Sequence, residues 1–353
     1  MKTKSWTVLL AVLGLGFAAA QQAFVYTDFA EVHEPVELPG GSWTWFPDEA
    51  LAGSLVDGTV RLLGVEETRR LWRGGAVTFF YRGAGSAQLA YLTRNLGYSL
   101  YYDLDVDRGR LVGWSKIDNR MERALKLERL TFVAGEVPLR AGQAPVMEGK
   151  LMARGLAADV AAEAPAPVYA GSGGGVFRYV LDRPPTLEPG VNELPFLKTD
   201  VKPVYTWRFQ GSFAQVSKLS FVRGYTLTAP AELAGGLVNV RVDGVLVGQA
   251  FLRDAARGSR VQVWLGADPE GKATRNIEVL KDERKEKVYR VRTVLKNPRN
   301  EPVRIELVEF FSARQIALKL PSGAERTPQG YRLELVLKPG ETRTFDYTVT
   351  LRY

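Results

Sequence analysis

Tyr98-Ser99-Leu100-Tyr101-Tyr102-Asp103-Leu104-Asp105-Val106 alternates in character at a period of two. Tyr98, Leu100, Tyr102, Leu104 and Val106 fall on one face, and Ser99, Tyr101, Asp103 and Asp105 on the other. That is the pattern of a half-buried antiparallel strand. Asp107-Arg108-Gly109 then supplies a turn with glycine free to take positive φ, and residues 111–117 return as a second strand. The same grammar recurs at Val238-Asn239-Val240-Arg241-Val242 and Val245-Leu246-Val247, which flank Asp243-Gly244. Asp-Gly between alternating apolar residues is a strong hairpin signal. Similar runs stand at 32–38, 60–63, 77–81, 88–92, 176–181, 219–227, 261–265, 288–295, 303–311, 331–337 and 343–351. Short strands separated by Gly, Pro and Asp turns predict an all-β chain of two immunoglobulin-like antiparallel β-sandwich domains. Helix is expected only at 47–55, with Pro47 near its first position, and at 121–128.

The N-terminus reads differently. Lys2 and Lys4 precede an apolar stretch over residues 6–17, and Ala18-Ala19-Ala20 follows. This is the order of a secretory signal peptide, with cleavage expected after Ala20. The apolar stretch is shorter than the roughly 20 residues a membrane span needs, so no transmembrane segment is expected after cleavage. The predicted location is secreted, periplasmic or cell-envelope. The expected domains are 21–210 and 211–353, with the boundary in the polar stretch 209–218. Residues 155–175, rich in Ala, Pro and Gly, are expected to form a mobile loop.

Composition removes whole classes of chemistry. The chain has no cysteine and one histidine, His33. Thiol catalysis, disulfides and multi-histidine metal sites are excluded, and no cofactor motif is present. Gly171-Ser172-Gly173-Gly174-Gly175 lacks the Lys-Ser/Thr of a phosphate loop. Asp103, Asp105 and Asp107 open like a calcium loop, but Arg108 and Trp114 stand where an EF-hand needs Gly and Glu. A solvated strand face is the simpler reading of those carboxylates. No pair of carboxylates is singled out for glycosidase chemistry.

Charge offers one candidate. Residues 272–299 carry ten basic and four acidic residues. Lys281, Arg284, Lys285, Lys287, Arg290 and Arg292 are the candidate binding residues for an anionic partner. The interleaved signs at 281–287 equally suit a solvated hairpin tip. Nucleic acid is disfavoured, because stacking aromatics are missing except for Tyr289. Leu187-Glu188-Pro189-Gly190 and Leu337-Lys338-Pro339-Gly340 form an internal echo. It fits either two domains closing on the same turn or two unrelated turns.

Several stretches together resemble the bacterial domain-of-unknown-function family 4139, some members of which are labelled mucoidy-inhibitor-like. They include residues 26–41, Leu89-Ala90-Tyr91-Leu92-Thr93-Arg94-Asn95-Leu96-Gly97-Tyr98, Leu111-Val112-Gly113-Trp114-Ser115-Lys116-Ile117-Asp118-Asn119 and Leu187-Glu188-Pro189-Gly190. Val240-Arg241-Val242-Asp243-Gly244, Leu265-Gly266-Ala267-Asp268 and the Lys296-Asn297-Pro298 turn extend the likeness over the second half. Tyr98 departs from the tryptophan common in the family, and the long helical insertion of many members is missing. The resemblance implies β-sandwich architecture in an envelope setting; it implies no known reaction, so no active-site residues carry over. The leading expectation is a non-enzymatic envelope protein that binds a partner protein, an anionic polysaccharide or a lipid surface. The alternatives are a carboxylate-based hydrolase of envelope polysaccharide, and extracellular nucleic-acid binding through 272–299.

Overall fold

The computed structural model describes residues 21–135, 137–139, 168–173 and 175–353. The expected signal peptide, and residues 155–167 of the expected loop, lie outside the described residues. The described residues divide into two compact units, one up to Tyr98 and from Lys116 to Leu194, the other of Ser99–Ser115 and Pro195–Tyr353. The fold is all-β, as the alternation predicts.

The first unit begins with β1 (Gln22–Val25), β2 (Ala30–Leu38), β3 (Ser42–Trp45), the one-turn helix α1 (Glu49–Ala52), β4 (Arg61–Leu63), β5 (Glu66–Arg73), β6 (Ala76–Arg82) and β7 (Gly85–Thr93). The neighbouring strands β8 (Leu96–Asp105) and β9 (Arg110–Asn119) each contribute residues to both units. Next come β10 (Arg129–Ala134), β11 (Val168–Gly173), β12 (Val176–Asp182) and β13 (Gly190–Asp200). The second unit continues with β14 (Val204–Ser212), β15 (Lys218–Thr228), β16 (Gly236–Val242), β17 (Val245–Leu252), β18 (Arg260–Glu283), β19 (Glu286–Lys296), β20 (Val303–Phe310), β21 (Gln315–Lys319), β22 (Ala324–Thr327), β23 (Gly330–Leu337) and β24 (Thr342–Arg352).

Four sheets result. They run β11-β12-β10-β1-β2-β7-β4, β3-β6-β5, β13-β9-β8-β16-β17 and β21-β24-β19-β18-β15-β14-β20-β23-β22. The nine-stranded sheet is nearly closed: the Arg326 guanidinium on its last strand donates 2.6 Å to the Ile316 carbonyl on its first. The sheets are not purely antiparallel as expected. β1 pairs parallel to β10, β8 to β16 and β14 to β20. A parallel pair needs a long connection, which alternation within a strand cannot reveal.

The Asp243-Gly244 hairpin forms as read. Asp243 (φ 51°) and Gly244 (φ 75°) both take positive φ, as a type I′ turn requires. Val242 then faces Val245. Val238 and Val240 are buried, so the opposite face carries Leu237, Asn239 and Arg241.

The internal echo is structural. In each unit a buried asparagine ties a strand end to the Pro-Gly turn. Asn119 donates to the Leu187 carbonyl (3.0 Å) and accepts from Met121 N (3.1 Å). Asn297 donates to the Leu337 carbonyl (3.2 Å) and accepts from Arg299 N (3.0 Å). Each also reaches the carbonyl four residues on, at Arg123 (3.2 Å) and Glu301 (2.9 Å). In each unit an opening strand sits between an antiparallel neighbour and a parallel one, β1 between β2 and β10, β14 between β15 and β20. The two units therefore repeat one topological element.

Five local expectations are corrected. The unit boundary falls at Leu194/Pro195, not after residue 210, because residues 204–212 run unbroken as β14, which is paired with β15 and β20 in the nine-stranded sheet. The Ser99–Ser115 hairpin arm belongs to the second unit. Residues 168–173 are β11, paired with β12, so the glycine-rich end of the expected loop is strand. Residues 121–128 are not helical, because Leu125 exchanges backbone hydrogen bonds with Leu187 instead (2.9 Å each). At α1 the cap is Asp48, whose side chain accepts from Leu51 N, so Pro47 precedes the cap.

Candidate functional site

In the second unit, β14 turns Trp207 inward and Arg208 outward, while β18 turns Val261 and Val263 inward and Arg260, Gln262 and Trp264 outward. Between these strands runs β15, with Gly224 paired to Trp264. A Cβ on Gly224 would stand 2.7 Å from the Trp264 indole and 2.2 Å from the Val263 carbonyl. Glycine there lets the indole lie against the strand. The Arg208 guanidinium sits 5.2 Å from the indole centroid, within cation–π range.

Residues 251–255, at the end of β17 and beyond it, form the opposite wall of a groove of about 740 Å³. Phe251 stands 71 % exposed on this wall. Arg208, Arg253 and Arg260 supply three cations, against the single carboxylate of Asp254. Asp254 accepts from Gly235 N (2.6 Å). Among the described residues, Arg208 and Arg253 form no ion pair, so no carboxylate neutralises either; Arg208 Nη2 donates to the Gln210 side-chain oxygen.

Arg260 is held from behind. It pairs with Glu334 (2.9 Å) and lies 3.6 Å from Glu306. Glu334 also binds Arg304 (2.8 Å) and Arg332, and Glu306 accepts from Gln262 (2.8 Å) and Arg332 (3.0 Å). Desolvation pushes the Glu334 carboxyl up, but the hydrogen bonds from Arg260 and Arg304 and the charges of Arg260 and Arg332 outweigh it, holding the group at about 2. A depressed folded pKa contributes stability above the ordinary value near 4.5 and loses it as pH falls toward 2. We therefore expect the urea midpoint to fall between pH 5 and pH 2.5, with a smaller fall in Glu334→Gln. Equal slopes in both proteins would show that Glu334 is not a controlling group.

The cationic candidates of the 272–299 segment do not form a free patch. Lys281 pairs with Glu286 (2.7 Å) and Glu283 (3.1 Å), Lys287 with Asp282 (3.0 Å), Arg290 with Glu278 (2.9 Å) and Arg292 with Asp346 (2.9 Å). Arg284 and Lys285 occupy the hairpin tip without an ion pair among the described residues. Arg275, counted with the surface charges, is fully buried against Glu309. The segment lies largely in the strand pair β18–β19, so Lys281, Lys287 and Arg290 meet carboxylates of that pair, and Arg292 meets Asp346 on β24.

The calcium candidates are engaged by the chain itself. Asp103 accepts from Asn239 (2.9 Å), Asp105 from Arg108 N (3.0 Å) and Asp107 from Asp243 N. Among the described residues no three His, Cys, Asp or Glu side chains gather as a metal site. His33 lies on β2, 3.0 Å from Glu31. Among the described residues, the carboxyls whose pKa is displaced, Glu31, Asp268, Glu286, Glu334, Glu341 and Asp346, are displaced downward. A glycosidase acid needs the opposite displacement. Among the described residues, no helix is long and apolar enough to cross a membrane.

No protein-family model matches the chain, and no curated protein matches it. Sequence reading passed over Arg208, Phe251, Arg253, Arg260 and Trp264. A usable signal was present in the outward phase of Arg260, Gln262 and Trp264 on a strand whose alternate residues are valines.

Proposed function

We propose that this chain is a non-catalytic binding protein of the bacterial cell envelope that grips an acidic polysaccharide in the groove of its second unit. The observation that carries the reading is a groove lined by two arginines without ion pairs among the described residues, Arg208 and Arg253, and by two aromatic rings, Trp264 and Phe251, with the Arg208 guanidinium over the Trp264 ring. A sugar acid offers a carboxylate for a guanidinium fork and an apolar ring face for an indole. The signal-like N-terminus and the likeness to domain-of-unknown-function family 4139 support the envelope setting. The downward-displaced carboxyls support a binding role over hydrolysis.

Calorimetric titration with an oligouronate of defined length tests this. Binding is expected to weaken as salt rises, because exposed charges are screened. Trp264→Ala and Arg253→Ala are each expected to weaken it about tenfold. Arg253 is exposed, so its variant tests binding apart from folding. No heat and no retardation on an acidic-polysaccharide gel would sink the proposal, as would release of reducing ends during incubation.

A further inference from the structure

We infer that the outer face of the five-stranded sheet continues the groove as a flat stacking platform for further sugar rings of the same acidic polysaccharide. The inference rests on the groove reading and extends it along the polymer. Phe251 joins the two surfaces. It lines the groove, and on the sheet it pairs directly with Leu237, which pairs with Tyr101. Tyr101 in turn stacks on Trp114, with centroids 6.3 Å apart and planes at 11°. Four strands thus present Phe251, Leu237, Tyr101 and Trp114 in one row, about 15 Å long at the usual strand spacing. Phe251 is 71 % and Leu237 40 % exposed, and Tyr101 and Trp114 are half-buried.

A polar row runs beside the apolar one, two residues along on β17, β16 and β8. Asn239 donates to Asp103 (2.9 Å), and Gln249 donates to Asn239 (2.7 Å). This chain of hydrogen bonds fixes the three side chains. It leaves Gln249 Oε1 and the second Asp103 oxygen as acceptors for ligand hydroxyls. An apolar row with a pre-ordered acceptor row alongside suits a ring with a C–H face and a hydroxyl rim. A partner surface that was only apolar would leave Asp103 and Gln249 desolvated without partners. The continuity through Phe251 selects the polymer already held by the cationic groove.

The experiment compares short and long oligouronates on the whole protein by calorimetry. Wild type is expected to bind long chains about tenfold more tightly than short ones. Tyr101→Ala and Leu237→Ser are each expected to keep short-chain affinity and lose most of that gain. Thermal melts of both variants confirm that they are folded, and Gln249→Ala serves where one is not. If wild type binds short and long chains equally, or the variants keep the full gain, the platform is overturned while the groove stands. If only long chains bind and the platform variants abolish that, the platform stands and the groove falls. If neither length binds, both fall.

Discussion

Replacing Glu309 with alanine is expected to destabilise the protein by about 3–5 kcal/mol, measured by urea unfolding at neutral pH. Glu309 and Arg275 lie in the core of the second unit with no side-chain exposure, 2.7 Å apart. β18 turns Ala273 and Arg275 to the same side, and β20 turns Leu307 and Glu309 inward. Each charge therefore sits at a core phase among apolar neighbours. Two tyrosines complete the group: Tyr347 donates 2.7 Å to Glu309 and accepts 2.8 Å from Arg275, and Tyr331 donates 3.2 Å to Glu309. Burial, then the charge of Glu309, drives both phenols well above the ordinary tyrosine range, so they stay neutral donors. Without Glu309, the Arg275 cation is left buried and uncompensated. Arg275 Nε and Nη1 and Glu309 Oε1 have no hydrogen-bond partner among the described residues. The pair is therefore incompletely satisfied, and replacing both by apolar residues, Arg275→Met with Glu309→Leu, is expected to cost far less than either single change. A double variant as unstable as the sum of the singles would refute this account.

Asp268→Ala is expected to be nearly as damaging, at about 3 kcal/mol or more by the same measurement. Its buried carboxylate gathers four donors: Tyr205 OH, Trp207 Nε1 (2.9 Å), Glu270 N (2.8 Å) and Gly271 N (2.7 Å). Desolvation opposes its ionised form, but these donors prevail and hold its pKa below the usual aspartate range. Alanine would strand all four donors around Trp207, a fully buried core residue. Gly271 packs close by, since a Cβ there would meet Trp207 at 3.1 Å and Phe221 at 3.2 Å. Asp268→Asn keeps the shape and part of the acceptance, so it should fall between wild type and alanine. The sign with pH follows: this stability is present above the ordinary aspartate pKa and is lost as pH falls through the lower folded value. Full stability in Asp268→Ala would show that the turn is held by packing alone.

The strands legible in sequence are those with one wet face. The turn ends of β16 and β17 are legible because Asp243-Gly244 fixes the turn and Val238 and Val240 fix the phase, while their far ends run on to Gly236 and Leu252. Harder cases had specific causes. β5 (Glu66–Arg73) carries largely exposed side chains and shows no alternation to read. β18 extends from Val263 into a polar half whose exposed residues imitate a charged loop. β14 looked like a linker because Arg208, Gln210 and Ser212 face outward from a strand whose inward side holds Trp207. Surface charge is hard to read for a related reason. The 281–292 cations are close in sequence and suit either an anionic docking face or a solvated hairpin tip, and only the strand pairing shows that Lys281, Lys287, Arg290 and Arg292 each lie against a carboxylate. Arg208, Arg253 and Arg260 are scattered along the chain and converge on one groove.

Alternation and turn chemistry are local, and they alone determined that this chain folds as β-sheet, with hairpins at Asp243-Gly244 and after Asp105. The paired Pro-Gly turns left a repeat between units and two unrelated turns equally open. Only tertiary structure decided which charges cancel, which strands run parallel, and that Trp264 and Phe251 face one groove. Those outcomes depend on pairing between strands far apart in sequence, where hydrogen-bond register sets the neighbours of every side chain.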